Sequence, residues 1–270
     1  MTRAPPLLLA LLVAFWGCAP KPRVLRVCAD PNNLPFSNRA GQGFENRLVE
    51  MLAQDLGARV EYTWWAQRRG YVRNTLKDRR CDLWPGVATQ VDMLATTQPY
   101  YRSTYVFVTR ADRHIDLASF DDPRLKRLKV GVQMIGNDAQ NTPPAHALAR
   151  RGIVDNVRGY MVYGDYARPD PSARIIEAVA RGEVDVAVAW GPLAGYFAAR
   201  SPRPLSLEPV QPWLDGPQWP MVFDISVGVR RDDAKLKAEL DQALERHRPQ
   251  IAALLAAYHV PRAPDPALAR

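Results

Sequence analysis

The segment 30–37, DPNNLPFS, brings together a carboxylate, two carboxamides and an aromatic ring directly after the apolar run 24–29. A few polar groups set among apolar side chains are what a ligand-binding pocket requires. Asp and Asn side chains also stabilise turns by hydrogen bonding to nearby backbone, so a purely structural role for Asp30, Asn32 and Asn33 stays open. Two prolines exclude a continued strand, because proline donates no ladder hydrogen bond. The sequence therefore predicts a stiff loop that holds something at the end of a strand.

Motifs for catalysis are missing from the sequence. It contains no GxSxG, phosphate-binding loop, GxGxxG or HExxH motif. Glu45, at the start of the first predicted helix, is explained by the favourable interaction of an acidic side chain with a helix N-terminus. The four histidines are scattered, and none has ligand spacing from a cysteine. We therefore expect a protein that is not an enzyme and that has no metal site and no cofactor.

The charge balance is basic, with 36 Lys and Arg against 28 Asp and Glu, a net charge of +8 and a pI near 9.6. The basic residues are spread along the chain without a basic block. This pattern favours a cationic surface over nucleic-acid binding, and an acidic protein partner stays open.

The N-terminus predicts export. Arg3 precedes an apolar run at 7–16 that is too short to span a bilayer, so residues 1–23 are expected to form an export segment. Gly17 and Cys18 resemble a lipoprotein acylation site, although Phe15 and Trp16 depart from that pattern. Either Cys18 is lipidated, which would be the chain's one membrane attachment, or it leaves with the signal peptide. Both outcomes place the chain in the periplasm.

Two cysteines, Cys28 and Cys81, remain after the export segment. An even number of cysteines in an oxidising compartment favours a disulfide.

Hydrophobic periodicity predicts two copies of an α/β unit. Residues 24–88 read as strand, helix, strand, helix, strand, and the theme repeats from about 128 to 190. The extended segments 103–110 and 222–230 connect the copies. The fold class is therefore α/β, with two doubly wound lobes joined by two extended crossovers. Lobe 1 is expected at 24–108 and 222–262, and lobe 2 at 109–221. Ligands bind such sheets at the carboxyl ends of the strands, here across a cleft.

Four stretches, LRVCADPNNLPFS, GFENRLVEMLAQDLG, QPYYRSTYVFVTR and IIEAVARGEVDVAVAW, resemble the amino-acid-binding branch of the type II periplasmic solute-binding proteins of ABC importers. A narrower resemblance, to the J-type accessory subgroup of quinoprotein (methanol) dehydrogenase systems, is carried by CADPNNLPFSN, YTWWAQRRGYVRNTL, TPPAHALARRGI and WGPLAGYF. In the strand order of this family the first and third strands are neighbours. Since these strands carry Cys28 and Cys81, the resemblance implies a disulfide between them.

The chain departs from the amino-acid binders at both of their charged anchors. Those proteins place an Arg after the third strand for the ligand's carboxylate, where this chain has Val91 and Asp92. They also place an Asp after the last strand of the second lobe for the ammonium group, where this chain has Trp190 and Gly191. A zwitterion would lose its hydration with nothing to offset the cost, so amino acids are not expected to bind.

The candidate cleft residues mix hydrogen-bonding groups with apolar and aromatic ones. They are Asp30, Asn32, Leu34, Phe36, Trp65, Trp84, Thr89, Gln133, Asn137, Trp190 and Tyr196. Any single tryptophan could instead pack in the core, and adjacent Trp64 and Trp65 point to opposite faces of their strand. We expect Trp190 to line the cleft, because it ends a predicted buried strand directly before Gly191 and Pro192.

The resemblance implies a periplasmic accessory factor that acts in maturation or activation of a quinoprotein alcohol dehydrogenase. It would bind the enzyme, with its cytochrome c as a further candidate partner, or a segment of the enzyme. The alternative is the solute-binding component of an ABC importer for a ligand other than an amino acid. The identity of any small ligand stays open.

Overall fold

The computed structural model describes residues 22–89, 91–136, 141–162 and 166–264. The strands are β1 Arg23–Ala29, β2 Asn32–Asn33, β3 Ser37–Asn38, β4 Ala58–Trp64, β5 Leu83–Ala88, β6 Ala95–Thr96, β7 Tyr101–Arg110, β8 Val130–Met134, β9 Val157–Met161, β10 Val186–Trp190, β11 Leu205–Pro209, β12 Leu214–Asp215, β13 Trp219–Pro220 and β14 Val222–Val229. The helices are α1 Phe44–Asp55, α2 Pro143–Arg150, α3 Arg174–Arg181, α4 Gly191–Ala198, α5 Ala234–Arg246 and α6 Arg248–Ala257. Among the described residues, no helix is long and apolar enough to cross a membrane.

The first lobe is built on the sheet order β4-β1-β5-β14. β1 lies parallel to both β4 and β5, and Val27 is opposite Leu83. Leu25 and residues 27–29 of β1 are buried, as expected for a parallel strand covered on both faces. Leu48, Val49 and Leu52 of α1 pack into the core of this lobe together with residues of α5 and α6. The predicted first-to-third strand pairing is therefore confirmed.

The second lobe repeats the arrangement with the order β10-β8-β9, all three strands running parallel. α2 begins at Pro143 after Thr142, whose hydroxyl accepts the N–H of Ala145 as an N-cap. α3 ends at Gly182 with a φ of 74°, a left-handed conformation that glycine adopts without steric cost. Two α/β lobes are present, as the sequence predicted.

The strands β7 and β14 join the lobes. Residues 101–104 of β7 pair with β14, and residues from Tyr105 onward pair with β10 and β11. β14 in turn pairs with β5 and β6 over its second half. These two strands are the predicted extended crossovers, and we propose that the lobe boundaries, predicted at 108/109 and 221/222, fall along them.

The structure contains a disulfide between Cys28 and Cys81, with a Cα–Cα distance of 5.4 Å. Both cysteines are fully buried beside Tyr71, Leu76 and Val87. The bond links the end of β1 to the residue two positions before β5.

Two local features differ from the sequence prediction. The second helix expected within residues 24–88 is a π-helical turn, Arg73–Lys77, whose Thr75 hydroxyl donates to the Tyr71 carbonyl oxygen. The segment 191–198 was not predicted as a helix but forms α4, where Pro192 occupies the first turn because it needs no N–H partner there.

Candidate binding cleft

The loop after β1 folds back on itself as the small hairpin β2–β3. The Ser37 hydroxyl accepts the N–H of Asp30 at 3.1 Å and donates to the Asp30 carbonyl oxygen at 2.9 Å. The Asn46 carboxamide oxygen accepts the N–H groups of Asn38 and Gly43, so the hairpin is tied to the start of α1. These bonds fix the position from which the Asp30 side chain reaches the cleft.

The Asp30 carboxylate is only 1% exposed and accepts three hydrogen bonds. The N–H groups of Asn32 and Gln67, both in the first lobe, donate to it at 2.8 Å each. The third donor is the Tyr166 hydroxyl of the second lobe, at 2.5 Å. Burial, and then the hydrogen bond to Asp30, raise the pKa of Tyr166, so its phenol stays protonated and acts as a donor.

Two further hydrogen bonds join the two lobes. The Asn32 carboxamide donates to the Arg168 carbonyl oxygen at 2.8 Å. The Ser172 hydroxyl donates to the Leu34 carbonyl oxygen at 2.8 Å. Together with the contact between Tyr166 and Asp30, these bonds hold the cleft closed.

The cleft contains a cavity of about 220 Å³ that is partly open to solvent. It is lined by Asp30, Asn32, Asn33, Phe36, Gln67, Tyr105, Gln133, Val162, Tyr166, Pro171, Ser172, Trp190 and Leu193. Five residues of the predicted site are in this lining: Asp30, Asn32, Phe36, Gln133 and Trp190. The volume is below the usual range of about 300–1,000 Å³ for small-molecule pockets, so the closed form has room for a small solute or a single side chain.

Trp190 and Gln133 form the second-lobe side of the cavity. The Trp190 ring is half-buried and contacts Tyr105 and Phe223 edge to face, at centroid distances of 5.3 and 5.8 Å. The backbone N–H of Trp190 donates to Gln133 Oε1 at 2.8 Å. Because a backbone N–H requires an acceptor, this bond fixes which end of the Gln133 carboxamide faces the strand.

Among the described residues, the cavity lining carries no Arg or Lys, and its one carboxylate, Asp30, already has three donors. The walls therefore offer carboxamides, hydroxyls and aromatic rings without a free cation. Among the described residues, no group of three or more His, Cys, Asp or Glu side chains could hold a metal ion. The arrangement suits an uncharged group with an apolar face.

Five predicted residues with described side chains lie outside the cavity lining. Trp65 is 36% exposed, with the Arg80 guanidinium 5.4 Å from its ring centroid. Trp84 packs on Tyr71 at 5.0 Å, beside the disulfide. The Thr89 hydroxyl bonds to Ser226 Oγ at 2.6 Å.

Tyr196 is buried against Tyr258, with the rings stacked at 5.7 Å. Leu34 is also buried, and it contributes its carbonyl oxygen to lobe closure rather than its side chain to the cavity. Asn137 and Cys18 lie outside the described residues. The cleft is therefore smaller than the predicted set of residues implies.

Sequence reasoning missed Gln67, Tyr105, Tyr166 and Ser172. Gln67 lies in the segment after β4, and Tyr166 and Ser172 lie in the connection after β9. Both segments begin at the carboxyl end of a strand. Applying the strand-end rule to every strand would have found these three residues. Tyr105 lies within a crossover strand, and no local signal marks it.

Glu45 is placed differently from its predicted role. Its side chain is 3% exposed and lies against Gly86, where a Cβ atom would be 2.0 Å from Glu45 Oε1. Burial and then the Asp30 charge raise its pKa to about 8. Its interpretation as a charge at the helix N-terminus is therefore wrong near neutral pH, because the carboxyl is mostly protonated there.

The chain matches the model of the bacterial extracellular solute-binding proteins, family 3, over residues 25–259. Protein MoxJ of Methylorubrum extorquens AM1 is 36% identical over 257 residues, which cover 91% of this chain and 83% of that protein. Protein MoxJ of Paracoccus denitrificans is 29% identical over 250 residues, covering 89% and 90% of the two chains. The crystal structure of the periplasmic binding protein XoxJ from Methylobacterium extorquens AM1 has a TM-score of 0.72 and 36% identity, and the match covers 89% of this chain and all of that one.

These matches confirm the predicted fold and the narrower resemblance to a J-type subgroup. The matched family consists of binding proteins, which confirms that the chain is not an enzyme, and a periplasmic location agrees with it. Acylation of Cys18 stays a prediction. With a family model that matches most of its length, the chain belongs to family 3 of the bacterial extracellular solute-binding proteins.

Proposed function

We propose that the chain is a periplasmic accessory factor for a quinoprotein methanol or alcohol dehydrogenase. It acts in maturation or activation by binding the enzyme, or a segment of it, at the cleft between the lobes. The dehydrogenase is inferred as the partner from the resemblance to the J-type subgroup. The names of the MoxJ and XoxJ relatives support that resemblance.

The observation that carries the proposal is the aromatic lining of the cleft, which offers no cation among the described residues. Where an amino-acid binder holds a zwitterion, this cleft presents Phe36, Tyr105 and Trp190 with carboxamide neighbours. Tyrosine and tryptophan carry much of the energy of protein–protein contacts, because they combine a large apolar surface with a hydrogen-bonding group. A single side chain of the partner fits the closed cavity, and a longer segment requires the lobes to separate.

The test is co-purification from cells grown on methanol. The exported protein, carrying an affinity tag, is isolated from periplasm, and the bound species are identified by mass spectrometry. We expect a quinoprotein dehydrogenase, with or without its cytochrome c, in wild-type material and at reduced level with Trp190→Ala. Recovery of a small solute alone, in the same amount from cells grown with or without methanol, would contradict the proposal.

One observation favours the second candidate, a solute-binding component of an ABC importer. The cavity lies between two lobes joined by hydrogen bonds, which is where a small solute would be held. The gene neighbourhood separates the two candidates. Genes for a quinoprotein dehydrogenase and a cytochrome c without a permease or ATPase support the accessory role, and an adjacent permease and ATPase support import.

A further inference from the structure

A second cavity, of about 180 Å³, adjoins the first on the second lobe. The two cavities share Gln133, Val162, Pro171 and Ser172. The other walls of the second cavity come from β9 and the beginning of α3. They are Arg158, Gly159, Tyr160, Met161, Arg174 and Ile175.

Two buried side chains that line this cavity carry hydrogen-bond donors. Gln133 is 7% exposed, and because its Oε1 accepts the Trp190 N–H, its Nε2 is the end that remains for the cavities. Tyr160 is 8% exposed, and its buried hydroxyl has no hydrogen-bond partner among the described residues. Leaving a buried polar group unpaired is costly, so an acceptor bound in this cavity would stabilise the Tyr160 hydroxyl.

The charges around the second cavity are positive. The Arg158 guanidinium lies over the Tyr160 ring, 5.4 Å from its centroid, and pairs with Glu183 at 3.2 Å. Arg174 is exposed and forms no ion pair with a described residue. Among the described residues, the lining contains no Asp or Glu, and its charged side chains are Arg158 and Arg174.

We propose that this second cavity binds a carboxylate whose apolar remainder lies in the adjoining aromatic cavity. Gln133 Nε2 and the Tyr160 hydroxyl supply two neutral donors for two oxygens, and Arg174 balances a single negative charge. Phe36 and Trp190 of the adjoining cavity suit an apolar group attached to the carboxylate. The carboxylate can belong to a small organic acid or to an acidic side chain of a protein segment. This inference goes beyond the dehydrogenase proposal and does not depend on it.

The experiment compares acids with their uncharged amides by calorimetric titration of the purified full chain. One pair is 3-phenylpropionate and 3-phenylpropionamide, and the other is the peptide acetyl-Phe-Glu-amide and its Gln counterpart. We expect at least one acid to bind about tenfold or more tightly than its amide, because hydrogen bonds to charged groups are worth about 1.5–3 kcal/mol. Preference for the first acid identifies a free acid as the ligand, and preference for the second identifies a protein segment. If neither acid binds more tightly than its amide, the proposal is overturned.

Variants separate binding from folding. Tyr160→Phe should weaken the preferred acid about tenfold or more without lowering the melting temperature, because it removes a buried hydroxyl that has no partner. Arg174→Ala should weaken the same acid and leave the amide unchanged. Arg47→Ala is the matched control, since Arg47 is an exposed arginine on α1 that forms an ion pair with Glu50 and lines neither cavity. Unchanged acid affinity in both Tyr160→Phe and Arg174→Ala would contradict the assignment.

Discussion

Replacing Tyr166 by Phe should open the cleft. The substitution removes the Tyr166 hydroxyl, a second-lobe donor to the Asp30 carboxylate, and leaves the two first-lobe N–H donors in place. A hydrogen bond to a charged group is worth about 1.5–3 kcal/mol, which corresponds to a shift of about 10- to 150-fold in the ratio of closed to open molecules. The hydrogen bond between Ser172 and the Leu34 carbonyl oxygen is between neutral groups, so Ser172→Ala should shift the ratio less, by about 0.5–1.5 kcal/mol.

Small-angle X-ray scattering measures the outcome, because separated lobes have a larger radius of gyration. The matched control is Tyr100→Phe, which removes a buried first-lobe hydroxyl that has no hydrogen-bond partner among the described residues. We expect a larger radius for Tyr166→Phe than for Ser172→Ala, and the wild-type radius for Tyr100→Phe. If Tyr166→Phe scatters like the wild type, the hydrogen bond to Asp30 does not hold the lobes together, and the explanation of closure is wrong.

Three further predictions concern stability and specificity. Replacing both Cys28 and Cys81 by Ala should lower the free energy of unfolding by about 4 kcal/mol, because the bond closes a loop with a sequence separation of 53; two free thiols in mass mapping of periplasmic protein would refute the pairing. A calorimetric panel of amino acids should show no micromolar binding, since neither charged anchor is present, and micromolar affinity for any of them would count against the accessory role. The pKa of Glu45 is higher in the folded state than in the unfolded state. The stability that its protonated side chain contributes is therefore fully present below about pH 4.5 and is lost as pH rises toward 8. Stability should therefore fall by up to about 4 kcal/mol between pH 5 and pH 8, and Glu45→Gln should remove this slope in pH-dependent urea denaturation; an equal slope in the variant would contradict the assignment.

Much of the fold could be predicted because strand and helix patterns are local. The apolar runs at β1, β8 and β10 and the glycine after α1 are visible in a single sequence. The pairing of Cys28 with Cys81 needed the strand order, which the family resemblance supplied. The π-helical turn Arg73–Lys77 could not be predicted, because Tyr71 and Leu76 pack beside the disulfide through contacts that a local sequence pattern does not show.

The site was predicted less completely than the fold. Asp30, Asn32 and Trp190 were found because each lies at or just beyond the end of a strand. Trp84 and Tyr196 were included because they are aromatic, but aromatic rings also fill cores, and these two pack on Tyr71 and Tyr258. The closure contact between Tyr166 and Asp30 joins residues 136 positions apart, so no local pattern could show it.

The measurement that tests the proposed function most directly is the affinity of the purified quinoprotein dehydrogenase for wild-type protein, Trp190→Ala and Trp65→Ala. Trp190 lines the cavity, whereas Trp65 is an exposed tryptophan outside it. Truncation of a central interface tryptophan costs roughly 2 kcal/mol or more, so Trp190→Ala should weaken binding by about thirtyfold or more and Trp65→Ala by much less. Because the Trp190 ring is half-buried, its loss should destabilise folding by less than the about 3–5 kcal/mol of a core tryptophan. A Trp190→Ala protein that melts early but binds the dehydrogenase normally when folded would contradict the account.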